Sequence, residues 1–242
     1  MHKVKRAIIM AAGYGKRMRP LTESIPKPLI KVNGKRMIET VIEALHLNNI
    51  NEIYIVVGYL KNEFNYLLKK YSGIELIENP FYDSSNNISS LYVAREHLGD
   101  CIILDGDQIV YDYKVLNPYF EMSGYNSVWS EKETDEWLQQ VTEDGFVTSC
   151  SRSGGKNGWK LYSVSRWTEE DGLKLKTHLE KEFVELKNRD IYWDDIAMFL
   201  YPQEYRLKIW PMEENDIVEI DSLEELLSID DSYQSIGAYT ND

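Results

Sequence analysis

Between residues 10 and 35 the chain reads MAAGYGKRMRPLTESIPKPLIKVNGK, which gathers Lys16, Arg17, Arg19 and Lys27 around Gly13 and Gly15. Glycines let a main chain turn tightly and approach a ligand, and the N–H groups of such a loop form a concavity that suits an anion. Cationic side chains beside that concavity point to a polyphosphate. A solvated basic loop is the plain alternative. Two observations favour the ligand: the loop follows an apolar run, and the rest of the chain is acidic, with a formal net charge of −13. The same charge opposes binding to a nucleic-acid polymer or an anionic membrane. Two familiar phosphate loops are excluded. No GxxxxGK[ST] is present, and Gly13 and Gly15 are followed by Lys16-Arg17-Met18 rather than by the third glycine of GxGxxG. Pro20, Pro26 and Pro28 also prevent a long helix from starting at once. Carboxylates, the donors a hard divalent ion prefers, stand in DGD (105–107) and EID (219–221).

Elements must carry these groups. KRAIIMAA (5–12) reads as a buried strand, and 36–50 as a helix with Ile38, Val41, Ile42 and Leu45 on one face. Segments 52–59, 73–79 and 100–107 read as strands, and 62–71 and 89–99 as helices between them. Strand and helix alternating at this spacing predict an α/β fold with a doubly wound sheet, whose ligands sit beyond the carboxyl ends of the strands. Both the basic loop and the DGD carboxylates fall at that edge. After residue 110 the pattern changes. Segments 125–131, 137–150 and 158–167 predict antiparallel strands joined by Gly-rich turns. Segments 168–183 and 191–202 predict helices, and 206–212 and 217–221 strands. Ser222 with Glu225 three residues on predicts a capped helix over 222–229. Residues 1–230 thus read as one domain with a small antiparallel insertion near 125–167, and 231–242 as a tail or linker. Cys101 and Cys150 have no partner spacing and read as reduced thiols of a cytoplasmic protein. The apolar run at 7–12 is too short for a signal peptide, and no run approaches the roughly 20 residues of a membrane span.

The run AIIMAAGYGKRMRPLTESIPKPLIKVNGKRMIE resembles the opening of the nucleotidyltransferases that make nucleotide-activated sugars and alcohols, and the resemblance continues in DGD and EIDS (219–222). NNISSLY (86–92), DEWL (135–138), IYWDD (191–195) and VEIDS (218–222) are similar to the bacterial phosphocholine cytidylyltransferases and the related 2-aminoethylphosphonate cytidylyltransferases. Gln108 is a departure, standing where those enzymes often carry Asn. The resemblance implies a Rossmann-like mixed sheet of the nucleotide-diphospho-sugar transferase type. It implies that CTP and a small zwitterionic phosphate or phosphonate are joined with release of pyrophosphate. It also implies Mg²⁺, with Asp107 and Asp221 as the ligand pair and Asp105 as a weaker third or a nucleotide contact. The amides of Gly13 and Gly15, with Lys16 and Arg17, would hold the β- and γ-phosphates. Lys27 would sit between the α-phosphate and the incoming oxygen. Ala11, Ala12 and Gly13 would read the base through the main chain, aided by Asn87 and Ser89; Asn79 and Tyr59 are weaker candidates.

Aromatic residues gather in the second half (Trp129, Trp137, Trp159, Tyr192, Trp193), with Glu136, Asp194, Asp195 and Glu219 among them. An aromatic face beside a carboxylate suits an ammonium head, each cation–π contact contributing about 0.5–2 kcal/mol. With the resemblance, Trp137, Tyr192, Asp194 and Glu219 are the expected acceptor contacts. A hexose-1-phosphate nucleotidyltransferase using UTP, dTTP or GTP is the rival enzyme, and a non-catalytic nucleotide-binding module the rival outside catalysis. A homodimer or a fused partner domain is compatible with the sequence.

Overall fold

A computed structural model describes residues 1–234. Strand β1 (Arg6–Ala11) is apolar after its first residue because it lies at the centre of a nine-stranded sheet covered on both faces. The strand period of two sends Ile9 into one hydrophobic cluster and Ile8 into the other. Helix α1 (Met37–Leu47) covers the first face and buries Ile38, Val41, Ile42 and Leu45, the stripe its spacing predicts. Strands β2 (Glu52–Val57) and β3 (Ile74–Glu78) continue the sheet in parallel on one side of β1. After helix α2 (Ile88–Val93), the chain returns to the other side of β1 as β4 (Cys101–Asp105), again parallel. The strand order therefore reverses at β1, which makes the carboxyl ends of β1 and β4 a topological switch point.

Beyond β4 lie β5 (Gln108–Val110), β6 (Gly124–Ser130), β7 (Leu138–Val141), β8 (Val147–Ser151) and β9 (Gly158–Trp167). Helix α3 (Glu169–Glu180) packs on the second face, and β10 (Lys208–Pro211) pairs parallel with β6. Strand β11 (Ile217–Glu219) pairs antiparallel with β5, and helix α4 (Leu223–Ile229) carries the capping box that Ser222 and Glu225 predict.

The ten-residue β9 determines the shape of the second half. Its last four residues pair with β4, while Trp159 and Lys160 on the same edge pair with β7. The sheet forks there, and the gap between β4 and β7 is lined by Leu161 and Ser163 of β9. Strands β7 and β8 form a hairpin whose neck closes by reciprocal backbone hydrogen bonds between Thr134 and Gly155, both 2.9 Å. Gly154 is required there: its φ is +71°, and a Cβ would meet the Thr134 carbonyl oxygen at 1.8 Å.

Four expectations need correction. The helix expected over 62–71 is two short pieces, Lys61–Phe64 and Leu67–Lys70. The one over 89–99 is α2 followed by a single 3₁₀ turn. The helix expected over 191–202 is only one wide turn, Ile196–Leu200, because the Trp193 N–H is bound to Asn87, and the Asp195 carboxylate takes Arg152 and the Tyr192 N–H. The tail expected from 231 begins as part of the fold: Tyr233 packs with Leu226 and Ile30, and its hydroxyl donates to the Lys31 carbonyl at 2.8 Å. The remainder of the expected tail, 235–242, lies outside the described residues. Among the described residues no helix is long and apolar enough to cross a membrane.

Candidate active site

The carboxyl ends of β1 and β4 and the fork at β9 enclose a cavity of about 710 Å³. All the sequence-predicted site residues line it except Ala12, Ser89 and the weaker candidates Asn79 and Tyr59. Ala12 is buried and its carbonyl accepts the Tyr59 N–H at 3.0 Å. Ser89 is buried too. Its hydroxyl donates to the Asn86 carbonyl and accepts from the Asn79 amide, so both polar residues serve the turn before α2. Tyr59 donates to the Glu23 carbonyl at 3.2 Å and is likewise absent from the cavity wall.

The basic loop is held by its own backbone. Gly15 has φ +61°, and a Cβ there would meet the side chains of Lys27 and Thr22 at 2.9 and 3.0 Å. The Gly15 carbonyl accepts from the Met18 N–H and the Thr22 hydroxyl, each at 2.9 Å. This folding brings Lys27 under the loop. Its ammonium lies 2.5 Å from Asp107 Oδ2 and 2.6 Å from Asp221 Oδ1. Arg17 reaches the other Asp221 oxygen at 2.9 Å. Burial alone would lower the Lys27 pKa, but the charges of Asp107 and Asp221 outweigh it and hold it above its ordinary value. Burial would raise Asp221; Lys27 and then Arg17 reverse that and hold its carboxyl below the usual range.

Glu219 was expected beside the acceptor head. The β5–β11 pairing sets it opposite Gln108 instead, next to the DGD turn. Ligand oxygens of Asp105, Asp107 and Glu219 lie within 4.8 Å of one another. Burial, then the Asp107 charge, pushes both Asp105 and Glu219 well above the usual carboxylate range. Asp107 Oδ1 is buried with no hydrogen-bond partner. Three crowded carboxylates with an unpartnered oxygen fit a hard divalent cation. Asp221 reaches this group through its shared contact with Lys27.

The opposite wall comes from the insertion and from the segment 192–199. Trp137 meets Tyr192 and Phe199 edge-on, with ring centroids 5.8 and 5.3 Å away. Asp194 lines this end, and burial pushes its carboxyl up to about 7. The other tryptophans have structural positions. Trp193 is buried between Tyr125 and Trp167, while Trp129 and Trp159 pair outside the cavity. Asn87 serves two places: it lines the cavity, and its Oδ1 accepts the Trp193 N–H at 2.9 Å. Sequence reasoning missed Arg152, Tyr14 and Ser163 in the wall. Tyr14 had a signal, a ring between two glycines of the basic loop. Arg152 had none, since it stands in a stretch that reads as a polar turn.

A nucleotidyl transferase family model matches residues 6–123. The chain is 37% identical over 229 residues to 2-aminoethylphosphonate cytidylyltransferase of Lancefieldella rimae, covering 94% of this chain and 92% of that one. It is 36% identical over 226 residues to choline-phosphate cytidylyltransferase of Streptococcus pneumoniae, covering 93% and 97%. The solved structure of the CTP:phosphocholine cytidylyltransferase from Streptococcus pneumoniae superposes with a TM-score of 0.86 at 36% identity, over 95% of this chain and 99% of that one.

Proposed function

The chain belongs to the nucleotidyl transferase family, and on that premise we propose that it transfers CMP from CTP to a small phosphate or phosphonate with a cationic head. A phosphate or phosphonate oxygen of the acceptor attacks the α-phosphorus. The bond from that phosphorus to the oxygen bridging to the β-phosphate breaks, and pyrophosphate leaves with the electron pair. Both reactants are anions, so the barrier is one of repulsion and alignment. The nucleophile is already ionised near neutral pH, and a general base is not required.

The observation that carries this reading is the polarity of one cavity: Lys16, Arg17 and Lys27 line one end, Trp137, Tyr192 and Asp194 the other. The loop amides of Gly13 and Gly15, with Lys16 and Arg17, hold the β- and γ-phosphates. Ala11 and Gly13 contact the base through the main chain, and Asn87 lies on the same side. Lys27 is placed to neutralise the α-phosphate as charge builds on it. Asp107, Asp221, Asp105 and Glu219 would hold Mg²⁺, which when bound supplies charge neutralisation for the phosphates. The ammonium of the acceptor rests against Trp137 and Tyr192 with Asp194 as counter-ion. Free Cys101 and Cys150 suit a reducing cytoplasm.

Pyrophosphate release with each of CTP, UTP, dTTP and GTP against phosphocholine, 2-aminoethylphosphonate and glucose-1-phosphate tests the reading. Turnover is expected with CTP and a cation-headed acceptor, to stop on chelation of divalent ions and to return with Mg²⁺. Turnover confined to glucose-1-phosphate would assign the chain to the hexose-1-phosphate enzymes instead. No turnover with any pair would leave a nucleotide-binding module.

A further inference from the structure

Arg152 lines the cavity but belongs to none of the roles above. It directly follows β8, and its Nε and Nη2 donate to Asp195 Oδ1 at 2.9 and 2.6 Å. The other Asp195 oxygen accepts the Tyr192 N–H at 3.0 Å. The guanidinium carbon lies 3.9 Å from the Phe199 ring centroid and 5.9 Å from that of Trp137. One arginine therefore joins the hairpin, which carries Trp137, to the turn that carries Tyr192 and Asp194. Exposed ion pairs contribute little. This pair differs because Asp195 is buried, so removing Arg152 leaves a desolvated carboxylate with one backbone N–H.

We propose that the Arg152–Asp195 pair is a latch that positions the acceptor-head subsite. It sets Trp137, Tyr192 and Asp194 relative to one another across the fork. It also engages Asp195, so that of the two adjacent carboxylates Asp194 is the one left to face the ligand. Arg152 is a positioning residue, acting through its neighbours. This inference rests on the proposed function for its kinetic readout, and has a second readout that does not.

The test uses Arg152→Ala, Arg152→Lys, Asp195→Asn and the Arg152→Ala/Asp195→Asn double variant, with CTP and the cation-headed acceptor varied separately. Loss of a hydrogen bond to a charged group predicts an acceptor KM raised about tenfold or more in each single alanine or asparagine variant, with the CTP KM held within about twofold. The double variant is expected to be no worse than the worse single one, because both remove the same contact. Arg152→Lys, which keeps the charge, recovers part of the loss and carries the test if Arg152→Ala does not accumulate as folded protein. Independently of any substrate, acrylamide quenching of Trp137, obtained by difference against Trp137→Phe backgrounds, is expected to increase when the latch is opened. Unchanged acceptor KM with unchanged quenching overturns the latch. So do additive losses, or a CTP KM rising as much as the acceptor KM, which would make Arg152 a nucleotide ligand. If the wild-type protein turns over no cation-headed acceptor, the functional reading fails and the quenching comparison alone decides the latch.

Discussion

At the β1–β4 end of the cavity the charged groups hold one another: Lys27 bridges Asp107 and Asp221, and Arg17 closes on Asp221. At the hairpin end the wall is held by ring packing and a single ion pair, with the Asp194 carboxyl raised to about 7 by burial. In the proposed function the first end neutralises phosphates, whose charge is the same in any nucleotide, so preformed charge suits it. In the same proposal the second end recognises one head group among many, which is a matter of shape and of counter-ion placement. Changes at the first end should therefore slow the chemical step, and changes at the second should weaken acceptor binding.

The largest expected effect tests the first half of that contrast. Lys27→Ala removes the cation proposed to neutralise the reacting phosphate, and kcat is expected to fall about 10²–10³-fold. A pyrophosphate-release assay at saturating substrates measures it, and a pure KM effect would erase the distinction between the two ends. Trp137→Ala is expected to raise the acceptor KM by about 2- to 30-fold, the equivalent of one cation–π contact, with kcat and the CTP KM little changed. A comparable loss of CTP affinity would mean the two ends are not separable. The pH dependence of Asp194 sharpens the second half. Its carboxyl is raised to about 7, so it is ionised above that pH and neutral below it. Ammonium binding is then lost as pH falls, and the acceptor KM should rise by up to about tenfold per pH unit below 7. Asp194→Asn should flatten that part of the profile while leaving the contribution of the acceptor's own ionisation; a profile unaltered by the substitution would remove Asp194 as counter-ion. The smallest effect concerns support for the first end. Glu225 accepts the Asp221 and Ser222 N–H groups at 2.6 and 3.1 Å, and Ser222 caps α4. Ser222→Ala is expected to cost about 1 kcal/mol in denaturant unfolding, with kcat reduced far less than by Lys27→Ala.

The same contrast explains what could be read from the sequence. At the first end the loop and the β4 carboxylates each follow a strongly patterned strand, and hydrophobic periodicity places β1, β2, β3 and β4 in a doubly wound sheet with α1 on its face, although Lys27 lies 80 residues from Asp107 and 194 from Asp221. The second end stands on segments with no strong pattern. Trp137 and Tyr192 are each unremarkable locally, and their meeting depends on the forked pairing of β9, a long-range fact without a local signature. Only the pairing of β11 with β5 shows that Glu219, while lining the cavity, stands beside the DGD carboxylates. Arg152 escaped notice because its meaning lies in Asp195, 43 residues away. The helix boundaries over 62–71 and 191–202 failed where tertiary contacts override propensity, as they do in any short segment.

The reciprocal Thr134–Gly155 bonds give the hairpin a closed collar, and β9, which follows it, pairs with β4 on one edge and, across a bulge between Tyr125 and Ser127, with β6 on the other. Residues 134–155 therefore form a cassette with both ends at one point in space. Grafting the equivalent loop of a relative onto this collar would exchange Trp137 and Arg152 while Tyr192, Asp194 and the proposed triphosphate cradle stayed in place, which offers a route to altered substrate choice without redesign of the other end.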